Sequence, residues 1–473
     1  MGAFETSTTD PGSFRDPNST VLHAGAQVLR LLSSAAAEDW QRLTETTFFG
    51  ERVSKGDVVA TEQMQQADRQ GIADEATWPV VLRHERIPFV SYPYEWSFSQ
   101  LRDAATLHID LLLDALGEHL TMKDGYAYNL QFRGAAPVFI DIGSFEHYRG
   151  GPWAGYRQFC QTFLFPLLLQ AHKNLSFRPL LRGQVNGIEP AQMRRLMSSH
   201  DLARSGVLKH VALHNAVDAR NANRGEGSRA TADHLRESGF SGAVAAAAAK
   251  NIGSLVRKLR WKPADSHWTT YQQSSTYTDA EREQKKAFVR EALSQRHAGL
   301  LLDLGCNDGT FSLLAQDHAD YVVALDNDEQ TIDLMYRRLR ADGNTKILPL
   351  VMDLTDPSPA IGWRSRERPS FLERAKPDAV LALALVHHLA IGANIPLPEV
   401  VSWLHSLGGH LVVEFVGPDD PMALRLLANK PAGLFPDYRP EMFEKLLAER
   451  FEIERQVTLE SGTRTLYSAV PRG

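Results

Sequence analysis

Several things are scarce in this 473-residue chain, and each scarcity narrows what it does. It has two cysteines, Cys160 and Cys306, far apart and in apolar or glycine-rich surroundings, so neither a disulfide framework nor a zinc site is expected. No metal-ligating set stands out elsewhere. No run of five or more Lys and Arg occurs, and the formal net charge is -6, which disfavours nucleic acid as the main ligand because duplex affinity rests on neutralising phosphates. The longest apolar run, 159–171, is interrupted by polar residues and Pro166 and is too short to span a bilayer. The first 19 residues lack the basic start and apolar core of a secretory signal, so a cytoplasmic location is the expectation.

What is present is an ordinary globular balance, 43% hydrophobic and 23% charged, over a length that suits two or three cores. Four stretches separate by composition. Residues 1–19 read as a disordered tail and 20–215 as an accessory α+β domain. Residues 216–265 read as an exposed connector or lid, and 266–473 as an α/β domain of alternating strands and helices. Oligomeric state is not readable from the sequence.

The most informative segment is Leu300 to Gly309, an apolar strand running into Asp303-Leu304-Gly305-Cys306-Asn307-Asp308-Gly309, after which Thr310–Gln316 resumes as a helix. Glycines there permit sharp backbone geometry and close ligand approach at the carboxyl end of a first strand. A second strand, 321–325, ends in Asp326-Asn327-Asp328, and an acid about 20 residues past the loop is placed to accept from ribose hydroxyls. A third, 346–352, ends in Asp353-Leu354; a fourth, 378–386, is almost continuously apolar, as a buried parallel strand should be.

These residues resemble the class I methyltransferases that depend on S-adenosyl-L-methionine (SAM). The acidic-x-Gly-x-Gly-x-Gly loop of that family corresponds to Asp303 through Gly309, with Asn307 in place of the middle glycine. The resemblance implies a Rossmann-like, mostly parallel seven-stranded sheet closed by an antiparallel hairpin, here 451–459 and 465–470. It also implies SAM as cofactor. Gly305 and Gly309 would approach it, Asn307 would shape the loop, and Asp303 would orient the loop or the amino-acid end. Asp326, with Asn327 beside it, would hold the ribose, Asp353 and Leu354 would face the adenine, and Leu385 would line the cleft. The chain from about residue 50 also resembles a bacterial group of long, NoeA-like methyltransferases, through Tyr92–Trp96, Lys123–Asn129, Val138–Glu146, Trp268, Tyr271, Tyr277 and Lys286.

Candidate catalytic residues lie past strands four and five. His387 or His388 is a base for a hydroxyl acceptor, or else one caps the strand while the other packs. Glu414 binds a polar acceptor or is satisfied by a neighbouring backbone, and Asp419-Asp420 follow it. The Asn/Asp-Pro-Pro-Tyr/Phe signature of many amide- and adenine-nitrogen methylating enzymes is absent after strand four, and so is the Pro-Cys of pyrimidine-carbon enzymes. A hydroxyl, amine or carboxylate on a small molecule, sugar, lipid or peptide remains.

The N-terminal part carries two readings. In one, Tyr92, Tyr94, Trp96 and Trp153 help bind the acceptor, or simply form core. In the other, Asp124, Asn129 and Asp141 follow the order of a kinase-like phosphotransferase, a catalytic Asp, a metal-binding Asn and a metal-binding Asp on the next hairpin. No Gly-x-Gly-x-x-Gly loop precedes them, and turn-shaping roles are the plain alternative. A bifunctional, ATP-binding protein and a non-catalytic SAM-binding protein are thus the alternatives to a simple methyltransferase.

Overall fold

The computed structural model describes residues 7–69, 71, 72, 74–204, 206–213, 241–263 and 277–472. They divide into two compact units: Met1–Phe132, Pro137–Ala264 and Ala360–Pro369 in the first, and Arg133–Ala136, Asp265–Pro359 and Ser370–Gly473 in the second.

The first unit begins with an antiparallel five-stranded sheet in the order β1-β2-β3-β5-β4. Its strands are Thr8–Thr9, Ser19–Ala24, Gln27–Leu32, Thr61–Gln63 (β4) and Val80–His84 (β5). Its inner face is apolar, with Leu22, Leu29, Leu31 and Val81 buried. The tail expected over 1–19 is not disordered where described: Thr8 and Thr9 pair with β2, and the Asp10 carboxylate accepts from His23 Nε2 at 2.9 Å. The polar composition there serves loop hydrogen bonds and not solvation alone. Residues 1–6 lie outside the described part.

Helix α3 (Phe98–Gly117; α1 and α2 are Ser34–Thr44 and Thr47–Ser54) is started by a capping box. Gln100 N donates to Ser97 Oγ, and Ser97 N donates to Gln100 Oε1 at 2.9 Å, which satisfies two otherwise orphaned donors. Beyond it come β6 (Leu120–Met122), the hairpin β7 (Leu130–Arg133) and β8 (Ala136–Phe139), and β9 (Phe145–His147), which pairs with β6. A helical run follows as α4 (Tyr156–Phe159) and α5 (Phe165–Lys173) joined by a π turn over Cys160–Leu164. Trp96, Phe132, Phe139, Phe159, Phe163 and Phe165 are fully buried, each worth roughly 1.5–3 kcal/mol of transfer free energy. Tyr92, Tyr94 and Trp153 are also buried, so the aromatics offered as acceptor contacts are core.

Within the stretch expected to be an exposed connector, Gly242–Lys258 forms a helix packed along α3, burying Ala249, Ile252, Leu255 and Val256. Alanines every four residues give it a flat face that a neighbouring helix covers. The polar segment 221–232, Trp268 and Tyr271 lie outside the described residues.

The second unit is built on a seven-stranded sheet in the order β12-β11-β10-β13-β14-β16-β15. These are Ile347–Val351, Ala319–Asp326, Ala298–Leu304, Ala379–Ala382, His410–Val416, Arg464–Pro471 and Phe451–Thr458. The first five strands in this order run parallel, and β16 is antiparallel to both its neighbours. β10 lies between β11 and β13, so connections leave it in opposite directions and the order reverses there, the place where open parallel sheets bind ligands. Gly409 enters β14 with φ 75°, and a Cβ there would lie 2.7 Å from the Asp378 carbonyl carbon, so only glycine lets the chain turn so close to β13. The fourth strand is shorter than its apolar sequence suggested. It stops at Ala382, and Ala384 takes φ 51°, an angle that turns the chain out of the sheet.

Candidate functional site

The loop after β10 is held by backbone bonds to the next strand. Gly305 N and Cys306 N both donate to Leu325 O, at 2.8 and 2.9 Å, and Gly309 N closes the turn on Cys306 O at 2.9 Å. Gly305, Asn307 and Gly309 all have left-handed backbone, with φ of 75°, 49° and 77°. Asn307 therefore fills the middle-glycine position with the geometry a glycine would have, which Asn tolerates better than most residues. A Cβ on Gly309 would lie 2.4 Å from Met335 Cε, on the helix Glu329–Ala341 that follows β11.

Asp326 ties the loop to its own strand end. Its Oδ2 accepts from Asn307 N and its Oδ1 from Asp328 N, both at 2.9 Å. Burial pushes its carboxyl up, and the two backbone bonds oppose that. With Asn327 N also lowering it, the carboxylate still keeps acceptor capacity for a ligand hydroxyl. Asn327 is exposed beside it. Asp303 is buried at the loop's root and accepts from Ser312 Oγ at 2.6 Å. Burial raises it to about 6 against the Ser312 bond, with Asp326 adding repulsion. It ties the strand end to the helix that follows the loop.

Asp353 is exposed, and its Oδ1 accepts from both Thr355 N and Thr355 Oγ1, at 2.8 and 2.7 Å, so it shapes the turn after β12. Leu354 is half-buried next to it. Leu385 is buried, and its Cδ1 sits 3.4 Å from where a Gly305 Cβ would be, which brings the segment after the fourth strand against the loop.

The catalytic candidates separate sharply. Glu414 is fully buried and is not free to meet an acceptor: Lys285 Nζ donates to its Oε2 at 2.6 Å, and Tyr277 Oη to its Oε1 at 2.7 Å. Arg464 Nη1 stands 3.4 Å away. Burial alone would raise the Glu414 carboxyl, but Lys285 and Arg464 hold it below its ordinary value. A strand carboxylate surrounded by two cations is satisfied by them, which corrects its assignment as a catalytic group. Asp420 is likewise occupied. It caps the helix Pro421–Leu427 through Met422 N and pairs through both oxygens with Arg464, at 2.7 and 3.0 Å.

His387 and His388 have ring centroids 4.2 Å apart. His387 is 1% exposed, neither ring nitrogen has a partner among the described residues, and burial followed by the neighbouring His388 lowers it to about 2. Burial therefore favours its neutral form. His388 is half-buried and lowered by burial.

Sequence reasoning missed Lys285 and Arg464. Both are cations on amphipathic elements, and nothing local distinguishes them from surface charges; only the sheet brings them to Glu414.

The reversal of strand order at β10, the left-handed loop and the acid one strand away together define the fold: a Rossmann-like sheet of the class I methyltransferase type. No family model matches the chain. It is 33% identical over 468 residues to the nodulation protein NoeA of Rhizobium meliloti (strain 1021), covering 97% of this chain and 95% of that one. The chain belongs to the NoeA family. Among solved structures it is similar to the N-methyltransferase NodS from Bradyrhizobium japonicum WM9, at 14% identity and a TM-score of 0.31, covering 41% of this chain and 98% of that one. Magnesium protoporphyrin IX methyltransferase (ChlM) from Synechocystis PCC 6803 is similar at 18% identity and a TM-score of 0.29, covering 43% and 93%. The fold assignment rests on the strand order itself and not on these low scores.

Proposed function

We propose that the chain transfers a methyl group to a hydroxyl, amine or carboxylate of a small-molecule, sugar, lipid or peptide acceptor. In this reading the SAM site is the loop 303–309, with Asp326 and Asn327 at the ribose, Asp353 and Leu354 at the adenine, and Leu385 lining the cleft. The carrying observation is the loop with three left-handed residues pinned to Asp326. It offers close backbone approach on one side and free carboxylate lone pairs on the other.

The residues fit the cofactor. The unpartnered ring nitrogens of buried His387, past the fourth strand, provide a polar contact that no protein group takes up among the described residues. When bound, SAM supplies an electrophilic methyl group. The protein's part is to position the acceptor and exclude water. His387 contributes as a neutral donor or acceptor of hydrogen bonds. His388, half-buried beside it, is the group placed to take a proton from a hydroxyl acceptor. Among the described residues no helix is long and apolar enough to cross a membrane.

Calorimetry with SAM and S-adenosylhomocysteine tests cofactor binding. Transfer from labelled SAM to panels of hydroxyl, amine and carboxylate compounds tests the acceptor class. No heat from either cofactor form at high protein concentration would overturn the reading.

A further inference from the structure

The first unit holds a second set of chemistry-bearing side chains that methyl transfer does not use. Asp124 and Asn129 lie between β6 and β7, and Asp141 lies just after β8. The hairpin folds these two segments together, with Ile140 N donating to Asn129 O at 2.9 Å. Asn129 Nδ2 donates to Asp124 Oδ1 at 2.5 Å, and Ser144 Oγ donates to the same oxygen at 3.0 Å. The Asn129 side-chain Oδ1 and one oxygen of each aspartate are thereby left over for another partner.

Two cations face the carboxylates, each from a different element. Arg30, buried on the third strand of the five-stranded sheet, places Nη1 2.9 Å from Asp141 Oδ1. Its other contacts are neutral, to Ser19 Oγ at 3.1 Å and His84 Nε2 at 3.3 Å. Lys123 Nζ donates to Asp16 Oδ2 at 2.9 Å, which draws the segment between β1 and β2 over the loop that carries Asp124. Gly143 follows Asp141 closely enough to Arg30 that a Cβ would lie 3.2 Å from Nη1, so the strand cation and the Asp141 turn are packed as a unit.

We infer that this constellation is a binding site for the phosphates of a magnesium-carried nucleoside triphosphate. Magnesium keeps most of its waters and is held by one or two protein oxygens together with substrate phosphates, which Asp141 and Asn129 supply from adjacent segments. A planar cation on the third strand matches phosphate oxygens in two directions. An acid, an amide and a second acid in that chain order, facing a basic residue on strand three, are the parts by which kinase-type sites hold such a ligand. Two features depart from that pattern: Arg30 stands where a lysine is usual, and Gly12 is the only glycine between β1 and β2.

The test is calorimetric titration of the full chain with ATP, with and without magnesium, and with magnesium tripolyphosphate. Binding that requires magnesium is expected, weakened about tenfold or more in both Asp141→Asn and Asn129→Ala. Both variants are compared at wild-type melting temperature, and Asn129→Ala carries the test should Asp141→Asn unfold. Absence of binding at millimolar ATP, binding indifferent to magnesium, or affinity unchanged in a folded variant would overturn the site. Tripolyphosphate binding as tightly as ATP would overturn the nucleoside part. None of these outcomes depends on SAM.

Discussion

Lys285 Nζ lies 2.6 Å from Glu414 Oε2, with the lysine side chain 6% exposed and the carboxylate 0% exposed. Such a pair gains little over an apolar substitute but is costly to break, because one buried charge is left without its partner. Glu414→Ala is expected to destabilise the second unit by about 3–5 kcal/mol in denaturant unfolding. The double change Lys285→Met with Glu414→Leu should cost clearly less than the sum of the two singles. Full stability of Glu414→Ala with methyl transfer abolished would return Glu414 to the catalytic role withdrawn above.

Asp326→Ala should weaken SAM binding by about 1–3 kcal/mol, the value of charge-assisted bonds to ribose hydroxyls. Because Asp326 also holds Asn307 N and Asp328 N, the melting temperature must be followed in parallel. Unchanged affinity in a folded variant removes the ribose assignment.

Gly309→Ala should cost about 1–2 kcal/mol from its left-handed backbone alone. Displacing the Met335 methyl group adds to this, and Met335→Ala should recover only that second part. At Asn307, replacement by Gly should be near neutral, whereas Val should be costly, since a β-branched residue is a true outlier at that angle. Equal stability of the Gly and Val variants would contradict the loop geometry.

His108 on α3 is fully buried among Phe139, Trp153, Phe159 and Phe163, and burial lowers it to about 3. The folded state keeps it neutral while the unfolded chain takes up a proton below about 6.5. Its contribution is therefore complete above that pH and is lost as the pH falls towards 3, at up to about 1.4 kcal/mol per pH unit. Asp124 and Asp303, raised to about 7 and about 6, act in the opposite direction over part of the same window. Comparing unfolding of wild type with His108→Phe isolates the histidine, and the variant should lose less stability between pH 6.5 and 4. An identical pH dependence would show that His108 charges freely in the folded protein.

The elements most legible in the sequence were those written into local pattern. The glycine loop, the acids ending the second and third strands and the terminal hairpin all fall where alternation and turn residues put them. The fourth strand misled because 378–386 is apolar throughout, and an apolar run does not say where it leaves the sheet; the left-handed angle at Ala384 does. Gly242–Lys258 misled for the opposite reason, since alanine-rich sequence is as suited to an exposed helix as to one covered by α3.

The chain's amino-acid order determined the class of cofactor fold, because Asp303 to Gly309 and Asp326 carry their geometry in residue type and spacing. Tertiary structure alone decided the fate of Glu414, which depends on Lys285 and Arg464 arriving from elements 129 and 50 residues away. It also decided that His387 is buried. Burial and long-range charge are properties of the packed sheet, and no local pattern encodes them.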